Sequence, residues 1–134
     1  MPKRDRKKPT DGELEILRVL WEKGPSTVRE VHRCLITSRG TGYTTVLKLM
    51  QIMTDKGLLV RDTTVRPQVY RPVHSRGQTQ RQLLGDLLDR VFSGSPGKLV
   101  LQALSEKDTT PAERRKIREL LDQLEREGTG DEPA

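Results

Sequence analysis

Thr44, Thr45, Lys48 and Gln51 stand within the run "GYTTVLKLMQIMTDKGLL", residues 42–59. A threonine offers a methyl to thymine and a hydroxyl to phosphate. A glutamine can make two hydrogen bonds to adenine, and a lysine can reach guanine acceptors or the backbone. Thr44, Lys48, Gln51 and Asp55 are spaced four, three and four apart, so they share one helical face, with Thr45 beside it. Val46, Leu49, Met50 and Met53 form the apolar stripe, with Leu47 at its flank. The spacing therefore predicts a helix with a buried back and a front suited to the major groove. Its N-terminus, from Gly42 to Thr45, can direct backbone N–H groups at a phosphate. Tyr43 fits the boundary, its ring on the core and its hydroxyl toward the nucleic-acid backbone.

Other chemistry has little to work with. His32, Cys34 and His74 are the imidazole and thiol groups of the chain. A structural metal site needs about four good ligands, and no closely spaced set exists. Cys34 has no adjacent base or oxyanion motif for nucleophilic work. "GTG" at 40–42 lacks the Lys–Ser/Thr continuation of a phosphate loop. The sequence calls for no catalytic residue, no metal and no cofactor.

The elements around the polar face follow from local signals. "TDGELEILRVLWEKG" predicts a first helix, capped by Thr10 or Asp11, with Glu13 and Glu15 near its positive end. Leu14, Leu17, Leu20 and Trp21 form its stripe, with Ile16 beside it, and Trp21 reads as core. Gly24 and Pro25 end it. "STVREVHRCLI" predicts a second helix: Thr27 and Glu30 have capping-box spacing, and Val28, Val31 and Leu35 face inward. "TSRGTG" (37–42) reads as a loop. After the third helix, "LLVRDT" and "QVYRP" read as strands around the turn "TVRP", with Pro67 starting the second strand. Arg66 at the hairpin tip is placed for a flanking phosphate or the minor groove. Arg61 and Arg71 lie on the strands, and Tyr70 faces the core. Three helices followed by a basic hairpin make a winged helix-turn-helix.

The remainder is helical. "QTQRQLLGDLLDRVF" carries Leu83, Leu84, Leu87, Leu88 and Val91. Pro96 opens "SPGKLVLQAL" at a first-turn position. "TPAERRKIRELLDQLERE" begins with Thr110 as cap, Pro111 at N1 and Glu113 at N3, and its stripe is Ile117, Leu120, Leu121 and Leu124. These faces have too few partners within the back half to bury them. Pairing with a second copy through Leu84, Leu87, Leu88, Val91, Ile117, Leu120, Leu121 and Leu124 solves that. The alternative is packing back on the front domain.

The chain of 134 residues carries a net charge of +6. Residues 1–74 hold 15 Lys/Arg against 8 Asp/Glu, hence +7; residues 75–134 hold 10 against 11, hence −1. A basic front half suggests a polyanion partner for that half. The organisation expected is a flexible basic arm at 1–9, a DNA-binding domain at 10–74, a helical dimerisation domain at 75–127 and a flexible tail at 128–134. No apolar run reaches membrane-span length, "MPKRDRKKPT" lacks the apolar stretch of a signal peptide, and one cysteine excludes an internal disulfide. A cytoplasmic protein is expected.

The stretches "ELEILRVLWEKGPSTVREV", "GYTTVLKLMQIMTDKGLLVRD" and "RPQVYRP", in that order, resemble the penicillinase-repressor family of the BlaI/MecI/CopY type. The resemblance runs from about Asp11 to Leu124, in the back half mainly as helix pattern. It implies a mainly α fold: an N-terminal winged helix with a two-stranded wing, then a C-terminal helical dimerisation region. It also implies a repressor that binds double-stranded DNA at dyad operators as a homodimer, and a membrane sensor protease as a partner. The family's "YTTV" motif falls on Tyr43, Thr44, Thr45 and Val46, its wing arginine on Arg66 and its wing tyrosine on Tyr70. Three positions depart from the pattern. Ile52 stands where the family often has arginine, and Val65 where a glycine usually precedes the wing arginine. Near Gln102 and Ala103 there is no Asn–Phe cleavage pair. The cysteine cluster of the copper-responsive branch is also missing.

The expected function is sequence-specific repression of transcription. The alternatives are a winged-helix protein–protein module and a small-molecule-sensing regulator.

Overall fold

The computed structural model describes residues 8–131, with the side chains of residues 38, 39 and 129–131 left aside. Residues 1–7, most of the basic arm, and residues 132–134 of the tail lie outside the described residues. The order is α1 (Asp11–Lys23), α2 (Val28–Arg39), α3 (Tyr43–Lys56), β1 (Leu59–Asp62), β2 (Val69–Pro72), α4 (Arg76–Val91), α5 (Pro96–Glu106) and α6 (Pro111–Asp131). The fold is mainly α, with a winged helix-turn-helix at the front and helices after it, as the sequence predicts. Contacts divide the chain into two units after Asp86, inside α4.

The core of the first unit is built from the predicted stripes. Ile16, Leu17 and Leu20 of α1 meet Val28, Val31 and Leu35 of α2 and Val46, Met50 and Met53 of α3. Leu58, Leu59 and Tyr70 close it from the hairpin. Each such side chain taken out of water contributes roughly 1.5–3 kcal/mol before conformational entropy is subtracted. Leu14, Trp21, Leu47 and Leu49 pack at the edge, partly buried. The Trp21 indole N–H donates to the His74 carbonyl at 3.1 Å, so this ring joins α1 to the chain leaving the hairpin.

Caps decide where the helices begin. Thr10 and Glu13, then Thr27 and Glu30, form reciprocal capping boxes at α1 and α2. The α2 helix runs to Arg39, past the loop expected from residue 37. Thr37 does not break it, because its hydroxyl donates back to the Cys34 carbonyl at 3.1 Å. The turn comes at Gly40, whose left-handed φ of 65° suits a residue without Cβ. The strands pair antiparallel with Leu59 opposite Pro72 and Asp62 opposite Val69. Pro67 precedes β2, which begins at Val69. Ser26 also exchanges two backbone hydrogen bonds with Tyr70, at 3.0 and 2.8 Å, which ties the α1–α2 turn to the wing.

The first unit takes in the start of α4, past the limit at 74 read from the sequence. Ser75 and Gln78 cap α4 reciprocally, so it starts at Arg76, before the helical run read from Gln78. The Arg76 guanidinium lies 5.7 Å from the Trp21 ring centre, and Thr79 is buried. Lys8 is ion-paired with Asp86 at 2.7 Å.

The second unit begins at Leu87. Ser95 caps α5, with Pro96 in its first turn. Thr110 and Glu113 cap α6 as expected. That helix continues through Gly128 and Gly130 to Asp131, beyond the domain limit of 127. No residue from 80 to 128 is buried.

Candidate nucleic-acid interface

The polar face of α3 is held outward by what is behind it. Val46, Met50 and Met53 are fully buried. Thr44, Thr45, Lys48, Gln51 and Asp55 are all exposed. A polar contact ties the start of the first helix to the end of the third. Lys56, in the last turn of α3, reaches the carboxylate of Glu13 at 2.7 Å, and Glu13 is only 2% exposed. The same carboxylate oxygen accepts the Thr10 N–H at 3.0 Å. One buried carboxylate thus serves the start of α1 and the end of α3. Gly57, in the left-handed region at φ 84°, then turns the chain into the hairpin.

Tyr43 lies off the row formed by Thr44, Lys48 and Gln51. It is 41% exposed, and its ring meets His32 of α2 edge-on, with centres 5.8 Å apart. The Arg29 guanidinium sits 5.9 Å from the same ring centre, within range of a cation–π attraction. Arg29 is in the first turn of α2, and the sequence reading did not single it out. Its only signal there is a basic residue near a helix N-terminus. Arg66 stands exposed in the hairpin loop. Arg29, Tyr43, Leu47, Arg66 and Gln68 line one groove of about 390 Å³, where the starts of α2 and α3 meet the wing. Two guanidinium groups therefore flank the start of the polar helix face. The wing loop leaves β1 through Asp62, whose carboxylate accepts the Thr64 hydroxyl and, at 2.9 Å, its backbone N–H. Those hydrogen bonds hold the Asp62 carboxyl below its ordinary range, the side-chain bond first.

The eight residues expected to pair two copies differ in exposure. Leu84, Leu87, Val91, Leu120, Leu121 and Leu124 are exposed, between 44% and 63%. Leu88 and Ile117 are half-buried. Val100, Leu101 and Leu104 of α5 are exposed as well, Leu101 to 71%, and were not among the expected set. Clefts of about 670 and 700 Å³ open in this unit, the first lined by Leu104 and Ile117, the second by Val91, Phe92 and Leu101. Among the described residues no helix is long and apolar enough to cross a membrane, and no group of three His, Cys, Asp or Glu is placed to hold a metal ion.

The chain is 32% identical over 115 residues to the transcriptional regulator BlaI of Mycobacterium tuberculosis, in strains CDC 1551 / Oshkosh and ATCC 25618 / H37Rv. The match covers 81% of this chain and 83% of the relative. Residues 9–123 match the family described as penicillinase repressor, a span that takes in the winged helix and most of α6. With its helices, wing and YTTV segment in that span, the chain belongs to the penicillinase repressor family.

Proposed function

We propose that this protein is a sequence-specific DNA-binding repressor that acts as a homodimer on a dyad operator. As a member of its family it is a transcriptional regulator and not an enzyme. The observation that carries the DNA-binding reading is the α3 face. Four hydrogen-bonding or cationic side chains, Thr44, Thr45, Lys48 and Gln51, stand exposed over a fully buried back. In a helix-turn-helix that face enters the major groove. Thr44 at the helix start suits a phosphate; Gln51, two turns deeper, suits a base edge, and Lys48 reaches either. Tyr43, Arg29 and Arg66 line the flanking groove, where guanidinium groups meet phosphates. Repression then follows from occupancy, because a bound protein blocks polymerase.

The homodimer reading rests on the second unit. A stretch of 80–128 with no buried residue and nine exposed large apolar side chains from Leu84 onward has no core of its own. Apolar surface of this extent marks an interface, and a two-fold pairing buries the same patch on both chains. A dimer presents two α3 helices, which matches a dyad operator. A cytoplasmic protein belongs to this reading. A membrane sensor protease as partner rests on the resemblance alone, and Gln102 and Ala103 lie inside helix α5.

The test is selection of bound fragments from random duplex by the purified full chain. Enrichment of an inverted repeat is the expected result. Recovery of no common sequence would reject the reading.

A further inference from the structure

Ile52 is an apolar, branched residue on the polar side of α3, and 39% exposed. It lies seven residues after Thr45 and four after Lys48, so the three align along one edge of the exposed face. Gln51 is its neighbour in sequence. Ile52 belongs neither to the buried core nor to the partly buried residues packed on it. A β-branched side chain also forms helix less readily than alanine or leucine. Folding of the first unit therefore gives no reason for isoleucine here.

A duplex does. Along the major groove the base edges offer donors, acceptors and one apolar group, the 5-methyl of thymine. Asp55 follows one turn after Gln51 and is exposed. Its carboxylate is repelled by phosphate, so this end of the face is poorly suited to a backbone contact. We propose that Ile52 is a specificity-determining residue that packs against the 5-methyl group of a thymine in the operator. Thr45 shares the same edge and offers its own methyl to that contact. This inference rests on the DNA-binding reading of α3.

The experiment uses the full chain and the duplex it selects from random sequence. Each thymine is replaced in turn by deoxyuridine, which removes the methyl and leaves every hydrogen-bonding group in place. Wild-type affinity should fall about fourfold at one thymine of a half-site, the loss of one buried methyl. Ile52→Ala should bind the unmodified duplex several-fold more weakly and be insensitive to deoxyuridine at that thymine, whereas Ile52→Val should stay sensitive. Alanine favours helix, and coincident thermal unfolding of the two variants confirms that both are folded. If Ile52→Ala keeps the full wild-type loss at every deoxyuridine, or if no thymine matters to the wild type, the inference is overturned while selective DNA binding stands. If the wild type binds selected and shuffled duplex alike, the DNA-binding reading fails and takes this inference with it.

Discussion

Gln51 and Arg66 are both exposed, yet they should fail in different ways when removed. A glutamine that pairs with adenine acts only on the right sequence. Gln51→Ala should cost on the order of 1–3 kcal/mol on the selected duplex and much less on random duplex. Parallel titrations of both DNAs at one salt concentration check this; equal losses would move Gln51 to the backbone. Arg66→Ala and Arg29→Ala should instead weaken binding to all sequences alike. Each should lower the slope of log affinity against log salt by about one, as expected for a lost phosphate contact. The residue types on α3 were legible in the sequence because helical spacing sorts them onto one face. The groove shared by Arg29, Tyr43 and Arg66 was not. It joins residues up to 37 positions apart, and no local period reports such a meeting. Ile52 was legible as an apolar departure, but its exposure needed the fold.

The elements owe their limits to short-range chemistry, which is why most of them could be read in advance. Thr27 and Thr110, each with a glutamate three residues on, mark the starts of α2 and α6. The Glu30 carboxyl is held below its ordinary value of 4.5, chiefly by the backbone hydrogen bond at Thr27. A carboxyl lowered in the folded state stabilises above its unfolded pKa, and that stabilisation is lost as pH falls through the folded pKa. Glu30→Gln should therefore melt below the wild type at pH 7, with the gap closing once the pH drops under the carboxylate range. A pH series of melting curves checks it. Longer-range links were hidden. Glu13 was expected near the positive end of α1, but its pairing with Lys56, 43 residues away, shows only in the fold. Breaking such a pair from one side leaves a buried charge alone. Lys56→Met should destabilise the protein by about 3 kcal/mol, measured by urea unfolding, and more than an exposed lysine substitution does. The Ser26–Tyr70 bridge was equally silent, since a backbone pairing one residue long leaves no pattern.

Burial across the molecule is uneven: among the described residues the twelve buried apolar ones all lie between Ile16 and Tyr70, and none lies in the back half. The sequence shows the apolar stripes of α4 and α6 but cannot show whether one chain covers them. Within the second unit Leu101 and its neighbours are exposed, and self-association measures whether a second copy covers them. Sedimentation at micromolar concentration should give twice the 15.3 kDa chain mass. Leu101→Lys combined with Leu121→Lys should give a monomer, because charges on that surface would be buried unpaired. The same pair of substitutions should weaken operator binding while the first unit keeps its fold. The central claim, that the basic front unit reads DNA by sequence, is tested most directly by one titration. The full chain is bound to its selected duplex and to a shuffled duplex of equal composition, at several salt concentrations. The account expects affinity for both to fall with salt, and the selected duplex to be held at least about a thousandfold tighter near physiological salt. Equal affinity for the two, or an affinity indifferent to salt, would contradict it.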